Sequence, residues 1–345
     1  INIKKMKKPI FIICIVIANL MIKSSYLNSY SDPSPFLGSW ALTLPNTVPG
    51  WIEVRQEVGY LVCDMLWGWA SVFPLDNVYM DGDKLILTRN SDIIRKKNAV
   101  GETVLTHTLT SYMVLTADGE QLTGGYYTPE YDGLGVREEP VSGKKNPPLP
   151  PAPDLTKVQY GDEISLFNGK DLMGWKMVDP NSTNGFFVKD GILENDPVQE
   201  EGKPHIRYGN LRTEQEFEDF NLTLEVNVPK NGNSGVYLRG IYEIQVYDSY
   251  GLPQNAHHMG ALYSRIIPGV NAEKPAGEWQ TMDITLCDRH LTVILNDVTI
   301  IDNQPVKGIT GGALTSDESK AGPIYLQGDH DKVMYRNIQL RPIVQ

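Results

Sequence analysis

Asn233-Ser234-Gly235-Val236-Tyr237-Leu238-Arg239, followed after Gly240 by Tyr242-Glu243-Ile244-Gln245-Val246-Tyr247-Asp248, is the stretch whose pattern sets the architecture. Polar and apolar residues alternate in both halves, and side chains two apart on a strand share a face. The pattern predicts two strands joined by a tight turn at Gly240. Tyr237 and Arg239 would lie on one face of the first strand, and Glu243, Gln245 and Tyr247 on one face of the second. Paired as a hairpin, they gather a cation, a carboxylate, an amide and phenols on one sheet surface. That is the material of a polar-ligand site, such as one for a sugar. The same alternation also describes a sheet with one wet face and no ligand.

The period-two pattern extends outward from this hairpin. Phe220, Leu222, Leu224, Val226 and Val228 fall on one side of a strand, with Asn221, Thr223, Glu225 and Asn227 on the other. Met282, Ile284 and Leu286 repeat the pattern. Leu291, Val293 and Leu295 run into Asn296-Asp297, a two-residue hairpin signal. Only Thr213 to Phe217 suggests a turn of helix. Many antiparallel strands without crossover helices predict a two-sheet sandwich over residues 162–345.

Upstream, residues 35–138 read as a smaller all-β unit. Gly38-Ser39-Trp40, Trp51-Ile52-Glu53-Val54 and Ser111 to Leu115 are short strand patterns, and Asp81-Gly82-Asp83 and Asp118-Gly119-Glu120 are turns between strands. Such spacing predicts a small antiparallel barrel or sandwich; the early Gly-x-Trp and the strand–turn rhythm resemble a small lipocalin-type barrel, whose interior either holds a ligand or is filled by side chains, the latter being the expectation. Residues 139–161 carry Pro140, Pro147, Pro148, Pro150, Pro151 and Pro153 and read as an extended linker.

Residues 1–25 have the form of a secretory signal. Met6-Lys7-Lys8 precedes an apolar run from Pro9 to Ile22, shorter than the roughly 20 apolar residues of a spanning helix, and Ser24 and Ser25 follow. A periplasmic or extracellular protein without a transmembrane anchor is therefore expected. The chain carries 31 Lys+Arg against 42 Asp+Glu, a net charge of -11. The leader holds five lysines and no acid, so the rest is more acidic still. That balance argues against nucleic acid as a partner. Cys63 and Cys287 lie on either side of the linker without a CxxC pair, and two free packed thiols are expected.

The second unit resembles the 3-keto-disaccharide hydrolase family. The blocks that carry the resemblance run in order: Leu166-Phe167-Asn168-Gly169-Lys170-Asp171-Leu172 with Gly174-Trp175; Asn210-Leu211-Arg212-Thr213; the hairpin stretch itself; Gly260-Ala261-Leu262-Tyr263; Gly277-Glu278-Trp279-Gln280; Gly322-Pro323-Ile324-Tyr325-Leu326-Gln327; and Asp329-His330. Two departures stand out. Met259 replaces the Cys that often precedes Gly-Ala-Leu-Tyr, and Gly328 intervenes between Gln327 and Asp329. The resemblance implies a concanavalin A-like jelly roll that binds carbohydrate. It also implies cleavage of glycosides already oxidised at C3, and hence a functional link to a sugar 3-oxidoreductase. Every matched block lies after the linker, so the first unit is expected to stand alone and to take no part in the chemistry; the alternative is that the first unit contributes the specificity while the second supports it.

A C3 ketone acidifies the C2 proton. A base that removes it allows the C1 substituent to leave by β-elimination, and water can then add back. On this reading Glu243 or His330 is the base, and Arg239 polarises the ketone oxygen. Gln245, Tyr237, Tyr247, Asp248, Tyr263, Trp279 and Gln327 are the candidate substrate contacts. Each has an ordinary alternative: Glu243 as a buried carboxylate paired with Arg239, His330 as a turn residue, Trp279 and Trp175 as core. An ordinary glycosidase would need a second carboxylate flanking the bond, but Glu243 and Asp248 differ in strand parity. A non-catalytic binding module is the other reading, and convergence of Glu243, Arg239 and His330 on one pocket separates the two. His257-His258 has no second ligand pair, so neither metal nor cofactor is expected.

Overall fold

The computed structural model describes residues 31–200 and 202–344. The expected signal segment, residues 1–25, lies outside the described residues. Among the described residues no helix is long and apolar enough to cross a membrane.

The first unit is one nine-stranded antiparallel sheet. Its strands are β1 (Gly38–Thr43), β2 (Pro49–Glu57), β3 (Tyr60–Trp67), β4 (Phe73–Pro74), β5 (Asn77–Asp81), β6 (Lys84–Lys97), β7 (Thr103–Asp118), β8 (Gln121–Pro129) and β9 (Val136–Lys145). They are ordered β4-β3-β2-β1-β9-β8-β7-β6-β5. The sheet curls until β3 and β5 approach one another. Its concave interior is filled by Trp40, Leu42, Ile52, Met65, Leu87 and Leu115. The void left beside Met65 and Leu87 is about 10 Å³, room for one water at most.

The expected linker begins later than residue 139. Glu139–Lys145 is the second half of β9, paired with β8 and, from Ser142 onward, with β1. Pro140 is tolerated there because β1 no longer covers that side of the strand, which makes it a local edge. The connector itself, residues 146–158, is laid along the second unit. Asn303 Nδ2 donates to Pro153 O at 3.0 Å, and an Arg289 guanidinium nitrogen donates to Pro147 O at 2.9 Å.

The second unit is the expected jelly-roll sandwich of two antiparallel sheets. Its strands are β10 (Gln159–Tyr160), β11 (Ile164–Ser165), β12 (Trp175–Met177), β13 (Phe186–Lys189), β14 (Ile192–Asn195), β15 (Leu211–Thr213), β16 (Phe220–Asn227), β17 (Asn233–Leu238), β18 (Tyr242–Tyr247), β19 (Trp279–Cys287), β20 (His290–Leu295), β21 (Val298–Pro305), β22 (Tyr325–Leu326) and β23 (Val333–Val344). The larger sheet runs β13-β14-β23-β16-β19-β20-β21, with β10 and β11 alongside β23. The smaller runs β12-β15-β22-β17-β18. Leu222, Leu224, Ile284 and Leu340 of the first sheet meet Val236, Ile244, Val246 and Leu326 of the second in one core. The turn at Asn296-Asp297 forms as expected, both residues at positive φ. Thr213 to Phe217 is the end of β15 and a bend rather than helix. Cys63 and Cys287 are free and buried.

The two units share side chains. On β2 and β3 the alternation sends Ile52 and Met65 into the first unit and the cross-strand pair Trp51 and Leu66 out of it. Both outward residues are buried in the core of the second unit. Trp51 sits flat on Gly308, where a β-carbon would come within 2.4 Å of the indole, and the Arg265 guanidinium lies 4.2 Å from its ring. Glu318 is buried at the same seam. It accepts hydrogen bonds from Asn146 Nδ2 at 2.7 Å and from the Tyr242 hydroxyl at 2.9 Å.

Candidate active site

The hairpin forms as its sequence indicated. β17 pairs with β18 in the register Asn233↔Tyr247, Gly235↔Gln245 and Tyr237↔Glu243. A cavity of about 570 Å³ opens over this part of the smaller sheet. Glu243, Gln245, Tyr237, Tyr263, Gln327 and His330 all line it, and these six sequence-derived candidates are brought together.

Glu243 is 4% exposed. Its carboxylate lies down across the sheet toward Gly235, where a β-carbon would meet Oε1 at 2.4 Å, so a side chain at 235 would dislodge it. The Tyr237 hydroxyl is 2.8 Å from Glu243 Oε2 and 2.7 Å from Gly311 O. One phenolic proton cannot serve two acceptors. A protonated Glu243 resolves the conflict by donating to Tyr237, which then donates to Gly311. The electrostatics agree. Burial without a cationic partner pushes the Glu243 carboxyl up to about 8, against a smaller opposing effect of the Tyr237 hydrogen bond. Tyr237 stacks on Tyr325 at 3.8 Å, and the Tyr325 hydroxyl donates to Gly312 O at 2.7 Å. Both phenols are held well above their ordinary pKa, chiefly by burial.

Two buried acceptors on the cavity wall have no partner among the described residues: Asn233 Oδ1 and Gln327 Oε1. Unpaired buried acceptors are costly, and a hydroxylated ligand would satisfy them. Gln245 is committed inside the protein, donating to His257 O at 3.2 Å. His330 is exposed at the rim.

Four expected residues are elsewhere. Arg239 is not on the Tyr237 face, because the turn ends the alternation: Arg239 and Gly240 both have positive φ, at 53° and 67°, and Ile241 N bonds back to Leu238 O. Its guanidinium donates to the carbonyls of Glu318 and Lys320 and makes no ion pair with Glu243. Trp279 lies on β19, in the other sheet, under the Arg336 guanidinium at 4.0 Å. Tyr247 continues the Glu243 face past the cavity and stacks near His258, and Asp248 accepts from Asn231 N at 2.8 Å. Trp175 is core, donating to Leu166 O at 2.6 Å. Both ring nitrogens of His257 are engaged, with Asn255 Oδ1 and Ser71 Oγ at 2.9 Å each.

The sequence reading missed several lining residues. Arg207 is, among the described residues, the one lysine or arginine on the cavity wall. It precedes Tyr208, whose amide donates to Asp329 Oδ1 at 2.7 Å. The inserted Gly328 fits because it passes against Gly209, where a β-carbon would lie 2.0 Å from the carbonyl oxygen. Asn233 and Asn210 stand inside the sequence blocks that carry the family resemblance, but nothing in the alternation marks them. Trp69 comes from the first unit, which was expected to take no part in the chemistry.

Residues 162–341 match the family described as a 3-keto-alpha-glucoside-1,2-lyase-like domain. Among solved structures, a protein of Parabacteroides distasonis provisionally named a glycosyl hydrolase is 32% identical, with 58% of this chain and 94% of that chain covered and a TM-score of 0.43. β-Agarase B of Zobellia galactanivorans is 12% identical over 55% of this chain and 94% of its own, with a TM-score of 0.35. A carbohydrate-binding module of Bacillus subtilis is 10% identical over 48% and 94%, with a TM-score of 0.32. No curated protein matches.

Proposed function

Because this chain belongs to the 3-keto-alpha-glucoside-1,2-lyase-like family, we propose that it cleaves 3-keto-glycosides by proton abstraction at C2 and β-elimination of the C1 substituent. The observation that carries the proposal is Glu243, a buried carboxyl pushed up to about 8 on the wall of a cavity large enough for a small saccharide. A general base works best when its pKa lies near the operating pH.

Glu243 takes the C2 proton, and the electron pair of that C–H bond delocalises into the C3 carbonyl as an enolate. The enolate then re-forms the ketone as the C1–O bond breaks, leaving a C1–C2 double bond. Water adds its oxygen to C1 and a proton returns to C2, so the net change is hydrolysis. Arg207 takes the part first assigned to Arg239, offering positive charge to the enolate oxygen. His330, at the rim, protonates the departing oxygen. Asn233 Oδ1 and Gln327 Oε1 accept hydrogen bonds from sugar hydroxyls.

Of the three residues whose convergence was to separate enzyme from binding module, Glu243 and His330 share the cavity and Arg239 does not; the enzyme reading is favoured because the wall carries a sunken carboxyl rather than a flat aromatic strip. An ordinary glycosidase is less well served. Asp179 and Asp329 line the cavity, but each accepts backbone N–H bonds, from Asn181 and Tyr208. We extend the proposal to location: the leader puts the mature chain in the periplasm or outside the cell. Fractionation that found the intact N-terminus embedded in the inner membrane would count against it.

The test uses a chemically oxidised 3-keto-disaccharide, with the unoxidised sugar as control. Glu243→Gln keeps the shape and removes the base, and turnover should fall roughly 10²- to 10⁴-fold. Product formed in D₂O should carry deuterium at C2 beyond what the ketone product alone exchanges. Retention of the original C2 hydrogen would overturn elimination.

A further inference from the structure

Trp69 is 64% exposed, on a loop of the first unit between β3 and β4. Such exposure would be unremarked on a free surface, but this loop is clamped to the second unit along its length. Gly312 N donates to Gly68 O at 3.2 Å, and Val72 N donates to Ser264 Oγ at 2.7 Å. Ser71 Oγ lies 2.9 Å from His257 Nε2 and donates to the Tyr263 hydroxyl at 3.3 Å. Gly311 lies so close that a β-carbon on it would meet Ala70 O at 2.6 Å. The backbone on either side of Trp69 is therefore fixed at the cavity wall, and the indole it carries lines the cavity with most of its apolar area exposed.

That place is specific. A β-carbon on Gly312 would lie 2.6 Å from the Tyr237 hydroxyl and 3.2 Å from Trp69 Cζ3. The indole and the hydroxyl that meets Glu243 thus both crowd the space over Gly312, too tightly for a methyl group. Along β17 the same face presents Asn233, Gly235 and Tyr237 in turn, and Gln327 N is bonded to Gly235 O. Asn233 stands at the start of β17, Gln327 and the Glu243 carboxyl flank Gly235 from the two neighbouring strands, and the indole lies beyond the Tyr237 hydroxyl. A sugar whose hydroxyls meet the amides brings one ring edge to Glu243, and whatever is bonded to that edge continues toward Trp69. An aromatic face matches the C–H face of a pyranose.

We propose that Trp69, supplied by the first unit, is the stacking platform for the leaving-group sugar of the substrate. This rests on the keto-glycoside reading above. The first unit then sets which glycoside is accepted, while the second performs the chemistry.

The test compares full-length wild type, Trp69→Ala and Trp69→Phe on two substrates: a 3-keto-glucosyl disaccharide and methyl 3-keto-glucoside, which lacks a second ring. The alanine variant should lose roughly 3- to 10-fold in kcat/KM on the disaccharide, through KM, and nothing on the methyl glycoside. Phenylalanine should restore most of the loss. All three proteins should share one thermal midpoint, since the side chain is mostly exposed. Equal losses on both substrates, or none on either, would overturn the platform while wild-type turnover keeps the underlying reading intact. A wild-type chain that turns over neither substrate would overturn that reading, and the platform with it.

Discussion

On the proposed mechanism, Glu243 is the residue at which chemistry and pH-dependent stability meet. Its carboxyl has an ordinary value of 4.5 and is raised to about 8 in the fold. Between those values the folded chain binds more protons than the unfolded one, so this group makes stability fall as pH rises from about 4.5 to about 8. Glu243→Gln should flatten that part of the stability curve, measured by chemical denaturation across the range. Wild type and variant sharing the same slope would mean that Glu243 ionises as freely as an exposed acid. The catalytic consequence has the opposite sign. A base must be ionised, so kcat/KM should climb with pH to a plateau above about 8. A profile that falls through this range would move the base to another group.

At the level of elements, the hairpin explains both what could be read in advance and what could not. Burial of one face writes itself into sequence as a period of two, so β16, β17, β18 and β19 were legible, and with them the cluster of Tyr237, Glu243 and Gln245. The period ends where φ turns positive, and Arg239 is the first residue at that point. Its guanidinium holds the carbonyls of the 318–320 segment instead. Arg239→Ala should therefore cost stability, about 1–3 kcal/mol for charge-assisted bonds lost in a buried setting. It should leave KM and kcat of the folded fraction unchanged. A selective loss of kcat with normal stability would return Arg239 to the ketone. Trp279 shows a second limit: alternation says which face a residue takes, but not which of two sheets its strand joins. Asn233 and Gln327 show a third, since an acceptor left without a partner is visible only when its surroundings are known.

For the whole molecule, the boundary that looked like a linker is a seam. Trp51 and Leu66 are written in the first unit but buried in the core of the second, and no local pattern in a strand can say what covers its outer face. The two units should consequently unfold together, in a single calorimetric transition. Trp51→Ala should lower that transition by the equivalent of about 3–5 kcal/mol, the usual cost of emptying a buried aromatic site. Two well-separated transitions in the wild type would mean that the seam contributes little. The loop Gly68–Val72 crosses the same seam and ends beside the cavity, anchored by its backbone and by Ser71. Its rim position can thus vary in side chain without disturbing the sheet that carries Glu243. If the proposed function and platform hold, divergence among relatives, or a laboratory library, confined to that short segment would retool the enzyme for new glycosides while its reaction stayed the same.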